Sequence, residues 1–99
     1  MKGDFNKLIN GGKPVLIDFH AEWCGPCKAQ SPIIKEVVKE VAGKVRIIKI
    51  DIDKNQTIAQ RYNVRGVPTL AIFKNGEIVW RKSGVQTKNK LIAIIQQYT

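Results

Sequence analysis

The chain contains two cysteines, Cys24 and Cys27, and two residues separate them. Small secreted proteins that depend on disulfides for their fold carry about four to eight cysteines, which argues against that class. A zinc ribbon is disfavoured as well, because only His20 could join the two thiolates and a tetrahedral site needs four ligands. A metal or iron–sulfur site shared between subunits is an open alternative. The spacing favours a dithiol that cycles between open and closed forms.

The cysteines lie between a predicted strand and a predicted helix. Residues 15–19 are a mostly apolar run with β-branched and aromatic side chains, which is typical of a buried strand. From residue 24 to residue 41 the apolar positions recur at helical spacing, and Gly43 ends the pattern. Pro32 falls inside this helix, where its missing N–H predicts a kink near Ala29.

The rest of the pattern predicts a single α/β domain over residues 1–99. Asn75-Gly76 is the strongest two-residue signal for a hairpin turn. The order of elements predicts a sheet that is parallel in one half and antiparallel in the other, with helices on both faces. The other predicted elements are a short helix before Gly11, a strand at 46–53, a short helix at 57–62, hairpin strands at 69–73 and 78–81, and a closing helix around 91–95.

The position of Cys24 at the start of a helix predicts which thiol reacts first. The first helical turn has free N–H groups and the positive end of the helix dipole, and both stabilise a thiolate. We therefore expect Cys24 to ionise more readily, to be the more accessible sulfur and to act as the nucleophile. Cys27 lies nearly one turn further on, so its sulfur can reach Cys24 and resolve a mixed disulfide. A buried structural cysteine pair is the alternative.

The chain is strongly basic, with 17 Lys and Arg residues against 8 Asp and Glu residues and a formal net charge of +9. Such a balance suggests nucleic acid, but the basic residues are spread over both halves and do not alternate with aromatic ones. We expect no nucleic-acid role and a surface that favours acidic partners. The longest apolar run, residues 91–95, is far shorter than the roughly 20 residues of a membrane-spanning helix, so we expect no membrane role.

The sequence around the cysteines resembles the active-site signature of the thioredoxin family, and the resemblance covers roughly residues 4–99 in order. It implies a thioredoxin-like three-layer α/β/α sandwich around a mixed four-stranded sheet, with the first edge strand of the usual fold missing. The strand that starts near Val45 is then expected at a sheet edge. The matching residues are Asp18-Phe19, Ala21, Trp23-Cys24-Gly25-Pro26-Cys27-Lys28, Pro32, Lys49, Asp51, Asp53, residues 65–69, residues 73–76 and Gly84.

The resemblance implies that Cys24, Cys27, Asp18 and Lys49 carry the chemistry. Asp18 is a carboxyl in an apolar strand, where burial should raise its pKa. In the family the matching residue lies beneath the disulfide and assists deprotonation of the second cysteine, here Cys27. Lys49 is expected on a buried strand as the cationic partner of Asp18. An ordinary buried ion pair is the alternative for both residues.

The resemblance also implies a flat apolar surface that contacts substrates. The Val67-Pro68 bond is expected to be cis, and Gly66 and Val67 would offer backbone groups to an extended substrate segment. The alternative for Trp23 is a core aromatic, and Trp80 is expected to have a packing role. The expected contact surface consists of Trp23, Gly25, Pro26, Gly66, Val67, Pro68 and Gly84.

His20 departs from the family pattern, in which an aromatic residue, often Trp, occupies this position. A histidine titrates near neutral pH, so we hypothesise that His20 makes the redox behaviour more dependent on pH. A half-exposed histidine that fills the space of the aromatic ring is the alternative.

Together these features favour a general protein dithiol–disulfide oxidoreductase that reduces substrate disulfides. Gly25-Pro26 resembles the reducing members of the superfamily. The resemblance implies protein disulfide substrates, an NADPH-dependent thioredoxin reductase, no bound cofactor or metal, and a monomer. Two cysteines without a signal segment favour the reducing cytoplasm. The alternatives are an oxidant or isomerase in an exported compartment, and a non-catalytic adaptor that docks through the face around Trp23 and Pro68.

Overall fold

Helices and strands follow one another along the chain in the predicted order. The computed structural model describes residues 2–99, with side chains from Phe5 onward. The elements are α1 (Lys2–Ile9), β1 (Val15–His20), α2 (Gly25–Glu40), β2 (Arg46–Asp51), α3 (Gln56–Arg61), β3 (Thr69–Lys74), β4 (Glu77–Ser83) and α4 (Lys88–Tyr98).

The strands form one sheet in the order β2-β1-β3-β4. β1 runs parallel to β2 and antiparallel to β3, and β3 and β4 form an antiparallel hairpin. The hairpin turns at Asn75 and Gly76, whose φ values of 55° and 82° fit the left-handed turn that Asn-Gly favours. The predicted mixed four-stranded sheet is confirmed, and β2 lies at its edge as expected.

Helices cover both faces of the sheet. Side chains alternate between the two faces along each strand, so both faces carry apolar side chains that a helix must cover. Val15, Ile17 and Phe19 of β1 pack with side chains of α1 and α3 on one face. Leu16 packs with α2 and α4 on the other. The protein is therefore a three-layer α/β/α sandwich, as predicted, and Asp18 lies on the same face as Leu16, beneath α2 and α4.

β2 is shorter than the sequence predicts. It ends at Asp51 and not at residue 53, because Asp51 Oδ1 accepts hydrogen bonds from the N–H groups of Asp53 (2.8 Å) and Lys54 (3.2 Å). This side chain closes a turn and takes the backbone donors away from the sheet. The predicted helix at 57–62 is α3, Gln56–Arg61, one residue earlier at each end.

Pro32 lies inside α2, as expected, and the helix extends to Glu40, while a kink near Ala29 stays a prediction. Trp80 is partly buried against the apolar cluster beneath α2 and α4, so its expected packing role is confirmed. Within residues 2–99, none of the helices has the length and apolar character needed to cross a membrane.

Candidate active site

The two cysteines form a disulfide at the start of α2. Their Cα atoms are 5.3 Å apart. Cys24 is the N-cap of α2, with an extended backbone (φ −89°, ψ 110°), and the N–H of Cys27 donates to its Sγ at 3.1 Å. Pro26 lies in the first turn, where its missing N–H removes no helical hydrogen bond. A negative charge on Cys24 Sγ is therefore stabilised by a backbone donor and by the positive end of the helix.

The predicted difference in access between the cysteines is wrong for the disulfide form. Cys24 is 3% exposed and Cys27 is 7% exposed. Cys24 packs with Ala21, Ile52 and Val67, and its Sγ lies 3.5 Å from the carbonyl oxygen of Val67. Because a disulfide sulfur carries no proton, this contact is not a hydrogen bond in the oxidised state. The loop that carries Val67 covers Cys24, so Cys24 is not the more accessible of the two cysteines in the disulfide form.

Asp18 places a carboxyl group in the protein interior. It is 1% exposed, and its Oδ1 has no hydrogen-bond partner among the described residues. Burial raises the pKa of Asp18 above the ordinary value of 3.8, and the charges of Lys49 and His20 oppose that rise. The predicted direction of the pKa shift is confirmed. Such a carboxyl can exchange a proton closer to neutral pH than an exposed one can.

Lys49 is the partner of Asp18 in the register of β1 and β2, but the two side chains do not form an ion pair. Lys49 Nζ donates instead to Ser31 Oγ of α2, at 3.1 Å. The ion pairs found in residues 2–99 join other residues, Lys54 with Glu22 and Lys88 with Glu40. Lys49 is also exposed, so the expectation of a buried strand is wrong, because β2 has a neighbour on one side only. Its charge acts on Asp18 through space and not through contact.

A groove of about 370 Å³ opens beside Cys27, and Cys24 does not line it. The groove gives Cys27 contact with water on the side of β2, in agreement with its exposure. Basic and hydroxyl groups dominate its polar wall. The lining residues are His20, Ala21, Glu22, Cys27, Lys28, Ser31 and Lys49.

His20 ends β1 at the rim of this groove and is half-buried. Its register partner is Asp51 at the end of β2. Burial raises the pKa of Asp51, but the hydrogen bonds from the N–H groups of Asp53 and Lys54 outweigh it, and His20 adds to the lowering, so the net pKa is below the ordinary value. A positive charge on His20 thus favours the ionisation of two carboxylates, those of Asp18 and Asp51.

A loop before β3 faces the cysteines. The Val67-Pro68 peptide bond is cis, so that prediction is confirmed. Gly84 donates its N–H to Pro68 O at 2.9 Å and has a φ of 89°, a conformation that favours glycine. Gly66 O accepts a hydrogen bond from Thr69 Oγ1 at 2.6 Å. These contacts join the loop and the end of β4 into one rim.

Trp23 is 69% exposed, which excludes the alternative of a core aromatic. Its indole Nε1 donates to Asp53 Oδ2 at 2.8 Å. Gly25 and Pro26 beside the disulfide are exposed too. The structure therefore places Trp23 and the residues between the cysteines on one open surface, while Asp18 and Lys49 lie on the sheet beneath α2.

Four polar residues of this region were not predicted as part of the site: Asp53, which holds Trp23; Ser31, which holds Lys49; and the buried pair Gln30 and Gln86. Gln30 had a detectable signal, because it lies on the buried face of α2 with Cys27, Ile34 and Val37 at helical spacing.

The residues of the described chain contain no group of three or more His, Cys, Asp or Glu side chains arranged to hold a metal ion.

Comparison with known proteins gives a consistent result. A family model described as thioredoxin matches residues 1–97. The thioredoxin of Rickettsia felis is 49% identical over 86 residues, which are 87% of this chain and 82% of that protein. The thioredoxin of Haemophilus influenzae is 42% identical over 96 residues, which are 96% of this chain and 90% of that protein. The crystal structure of Malassezia sympodialis thioredoxin superposes with a TM-score of 0.89 at 37% identity and covers 97% of this chain and 84% of that one.

Proposed function

This chain belongs to the thioredoxin family, and from that premise we propose that Cys24 attacks substrate disulfides and Cys27 resolves the product. The protein is a dithiol–disulfide oxidoreductase, and its redox-active group is the Cys24–Cys27 disulfide of the chain itself. Its substrates are protein disulfides, and its partner enzyme is of the thioredoxin reductase class. The direction that we propose is the reduction of protein disulfides.

The proposed cycle begins with a Cys24 thiolate and a Cys27 thiol. The thiolate attacks one sulfur of the substrate, so a protein–substrate S–S bond forms while the substrate's own S–S bond breaks. The released substrate thiolate takes up a proton. Cys27 then loses its proton, attacks Cys24 Sγ and releases the second substrate thiol. The substrate has gained two electrons from the dithiol and two protons, one given up by Cys27 and one from solvent, and the Cys24–Cys27 disulfide is closed.

One observation supports this assignment above the others. The N–H of Cys27 points at Cys24 Sγ from 3.1 Å at the positive end of a 16-residue helix. A donor in that position is worth more to a thiolate than to a thiol, so it favours the ionised form of Cys24. Cys27 Sγ has no corresponding place at the helix end, because Cys27 lies inside the first turn.

We propose that Asp18 accepts the proton of Cys27 in the second step. The support is a buried carboxyl with a raised pKa on the sheet face beneath α2, together with the water-accessible groove that reaches Cys27. Lys49, at the wall of that groove, tunes the ionisation of Asp18 through its charge. His20 lines the same groove, which supports its proposed role as a pH modulator.

We propose that a substrate segment binds in extended form beside the disulfide. Val67 supplies the central part, with its carbonyl 3.5 Å from Cys24 Sγ. Pro68 follows it in the loop but is buried, so it presents no open face to a substrate. An extended segment could pair with the backbone N–H and carbonyl of Val67, as in strand addition to a sheet. The carbonyls of Gly66 and Pro68 already accept hydrogen bonds within the protein. The rest of the proposed surface consists of Trp23, Gly25, Pro26, Gly66 and Gly84.

We further propose that residues 1–99 act as a single monomeric domain in the cytoplasm, with a reductase that takes electrons from NADPH. The redox-active pair accounts for both cysteines of the sequence, so no cysteine serves a structural disulfide. This usage is typical of a reducing compartment.

The order of attack can be tested by trapping. We expect reduced Cys27→Ser protein to accumulate a mixed disulfide with a protein substrate, because Cys24 attacks and no thiol resolves the product. Reduced Cys24→Ser protein is the matched control and should accumulate little. Non-reducing electrophoresis and mass spectrometry of the linked peptide distinguish the two. Stronger trapping by Cys24→Ser would contradict the assignment, and the 7% exposure of Cys27 makes that outcome a real test.

The direction of catalysis can be tested by the reduction potential of the Cys24–Cys27 couple. A couple more reducing than the cytosolic glutathione pool is expected for a reductase. A couple well above that pool would contradict reduction as the main activity and favour oxidation or isomerisation.

A further inference from the structure

Two buried glutamines connect the helix of the cysteines to the loop of Gly84. Gln30 lies three residues after Cys27 in α2 and has no exposed surface, and Gln86 lies just before α4 and is 5% exposed. Neither takes part in the thiol chemistry described above. A buried amide is costly unless its donors and acceptors are paired, so the partners of these two side chains are informative.

Gln30 satisfies both backbone polar groups of Gln86. The N–H of Gln86 donates to Gln30 Oε1 at 2.7 Å, and Gln30 Nε2 donates to Gln86 O at 3.1 Å. The opposite orientation of the amide would set two donors and two acceptors against each other, so one orientation alone fits. The side chain of a single residue in α2 thus holds the two peptide units that flank the Cα atom of Gln86.

The side chain of Gln86 extends this connection to Gly84. Its Nε2 donates to Gly84 O at 3.0 Å and to Ser83 O at 3.3 Å. Gly84 in turn donates its N–H to Pro68 O at 2.9 Å. Gly84 is therefore held at its carbonyl by Gln86 and at its N–H by the loop beside the disulfide.

The polar character of this connection distinguishes it from ordinary core packing. The other buried positions of α2 beyond Cys27 are apolar, Ile34 and Val37, and an apolar residue at position 30 would fill the space without directional bonds. Hydrogen bonds fix distances and orientations, whereas apolar contacts tolerate sliding. The pair therefore fixes where Gly84 lies relative to the cysteines.

We propose that Gln30 and Gln86 are positioning residues that hold the Gly84 side of the substrate surface and so set the affinity for protein disulfides. This inference rests on the proposed substrate surface. A protein substrate must contact the rim to bind, and a small disulfide reaches Cys24 without doing so. Loss of the pair should therefore weaken binding of proteins and leave the thiol chemistry intact.

The test uses pre-reduced protein mixed with excess oxidised insulin or with a small aromatic disulfide in a stopped-flow instrument. For Gln30→Leu we expect the half-saturating insulin concentration to rise about tenfold, equivalent to ~1.4 kcal/mol. The maximal rate with insulin and the rate with the small disulfide should stay within about twofold of wild type, below ~0.5 kcal/mol. Gln97→Ala, an exposed glutamine on α4, is the matched control and should behave as wild type.

Gln86→Leu is the second variant, since it leaves Gln30 free to hold the backbone of residue 86 and removes only the bonds to Ser83 and Gly84. It should raise the half-saturating insulin concentration in the same direction, and it provides the test if Gln30→Leu does not fold. Equal slowing with both disulfides would show a merely structural role and overturn the inference, as would unchanged insulin saturation in the folded variants. Wild-type protein that fails to reduce insulin would instead overturn the proposed function itself.

Discussion

Asp18 and Lys49 are register partners across β1 and β2, yet Lys49 donates to Ser31 and Asp18 Oδ1 has no hydrogen-bond partner in the described chain. The carboxyl is therefore influenced by the ammonium charge without being neutralised by contact. Burial raises its pKa, and Lys49 and His20 limit the rise. The result is an acid inside the fold that costs stability when it ionises.

Replacing Asp18 with Asn should stabilise the oxidised protein at neutral and alkaline pH. The folded state holds the Asp18 proton more tightly than the unfolded state, so wild-type stability falls as pH rises through the folded pKa. We expect a gain of ~1–3 kcal/mol near pH 8, because an unpaired buried charge is removed. The gain should vanish below the ordinary carboxyl pKa of 3.8. Urea unfolding across this pH range measures it.

Asp51→Asn is the control, because its effect on stability should depend on pH with the opposite sign. The pKa of Asp51 is lowered in the folded protein, so its charge contributes stability above the ordinary pKa, and that contribution is lost as pH falls through the folded value. This variant should be less stable than wild type at neutral pH, and the difference should shrink in acid. A parallel pH dependence for the two variants would contradict one of the two directions, and the sign of the shared trend would show which one.

Gly84→Ala should destabilise the protein through its backbone alone. The φ of 89° is strained for any residue with a Cβ, while an added Cβ would meet no atom within 4 Å. We expect a loss of ~1–2 kcal/mol in the free energy of unfolding. Gly66→Ala is the matched control, since its added Cβ also meets open space and its φ is not positive, and it should stay within about 0.5 kcal/mol of wild type.

Arg81→Met should loosen the segment that leads to the loop of Val67. The Arg81 guanidinium donates from Nη1 to Tyr62 O and from Nη2 to Asn63 O, the latter at 2.7 Å. Loss of both bonds should cost ~1–2 kcal/mol in urea unfolding. Lys82→Met removes the same charge from an exposed neighbour and should cost less. Equal losses would assign the effect to net charge and not to these bonds.

Replacing His20 should flatten the dependence of the redox reaction on pH. His20 lines the groove beside Cys27, and its positive charge lowers the pKa of Asp18, so loss of that charge would alter the ionisation of the proposed base. We expect His20→Phe and His20→Asn to lose a part of the variation in rate between about pH 6 and pH 8, where a histidine titrates. Stopped-flow reduction of insulin measures it. An unchanged profile in both variants would refute the hypothesis, and a changed profile in Asn alone would favour a space-filling role.

The elements could be predicted because each has its own local signal. Asn75-Gly76 specifies a turn by its backbone preference, and the helical spacing of apolar residues sets the extent of α2. The character of β2 could not be predicted in this way. Its apolar residues suggest a strand buried on both faces, but the missing neighbour at the sheet edge leaves Lys49 exposed. Edge position is a property of the whole sheet and not of the strand's own sequence.

In the site, too, some features could be predicted from local sequence and others depend on the whole fold. The reactive pair, the exposed Trp23 and the cis bond before Pro68 follow from local motifs and the family resemblance. The covering of Cys24 by Val67, and the contact of Gln30 with Gln86, join residues 43 and 56 positions apart. No local pattern encodes such distances, so these contacts needed the folded chain.

The open side of β2 has a consequence for crowded solutions. Within residues 2–99 this strand has a neighbour only in β1, and its free edge carries the exposed side chains of Arg46 and Lys49. Two copies that approach edge to edge must bring these positive charges together, in molecules with a formal net charge of +9 each. Dissolved ions shorten the reach of that repulsion to about 10 Å at 0.1 M salt. The repulsion that opposes edge-to-edge association therefore weakens as ionic strength rises, so added salt should promote self-association at a given protein concentration.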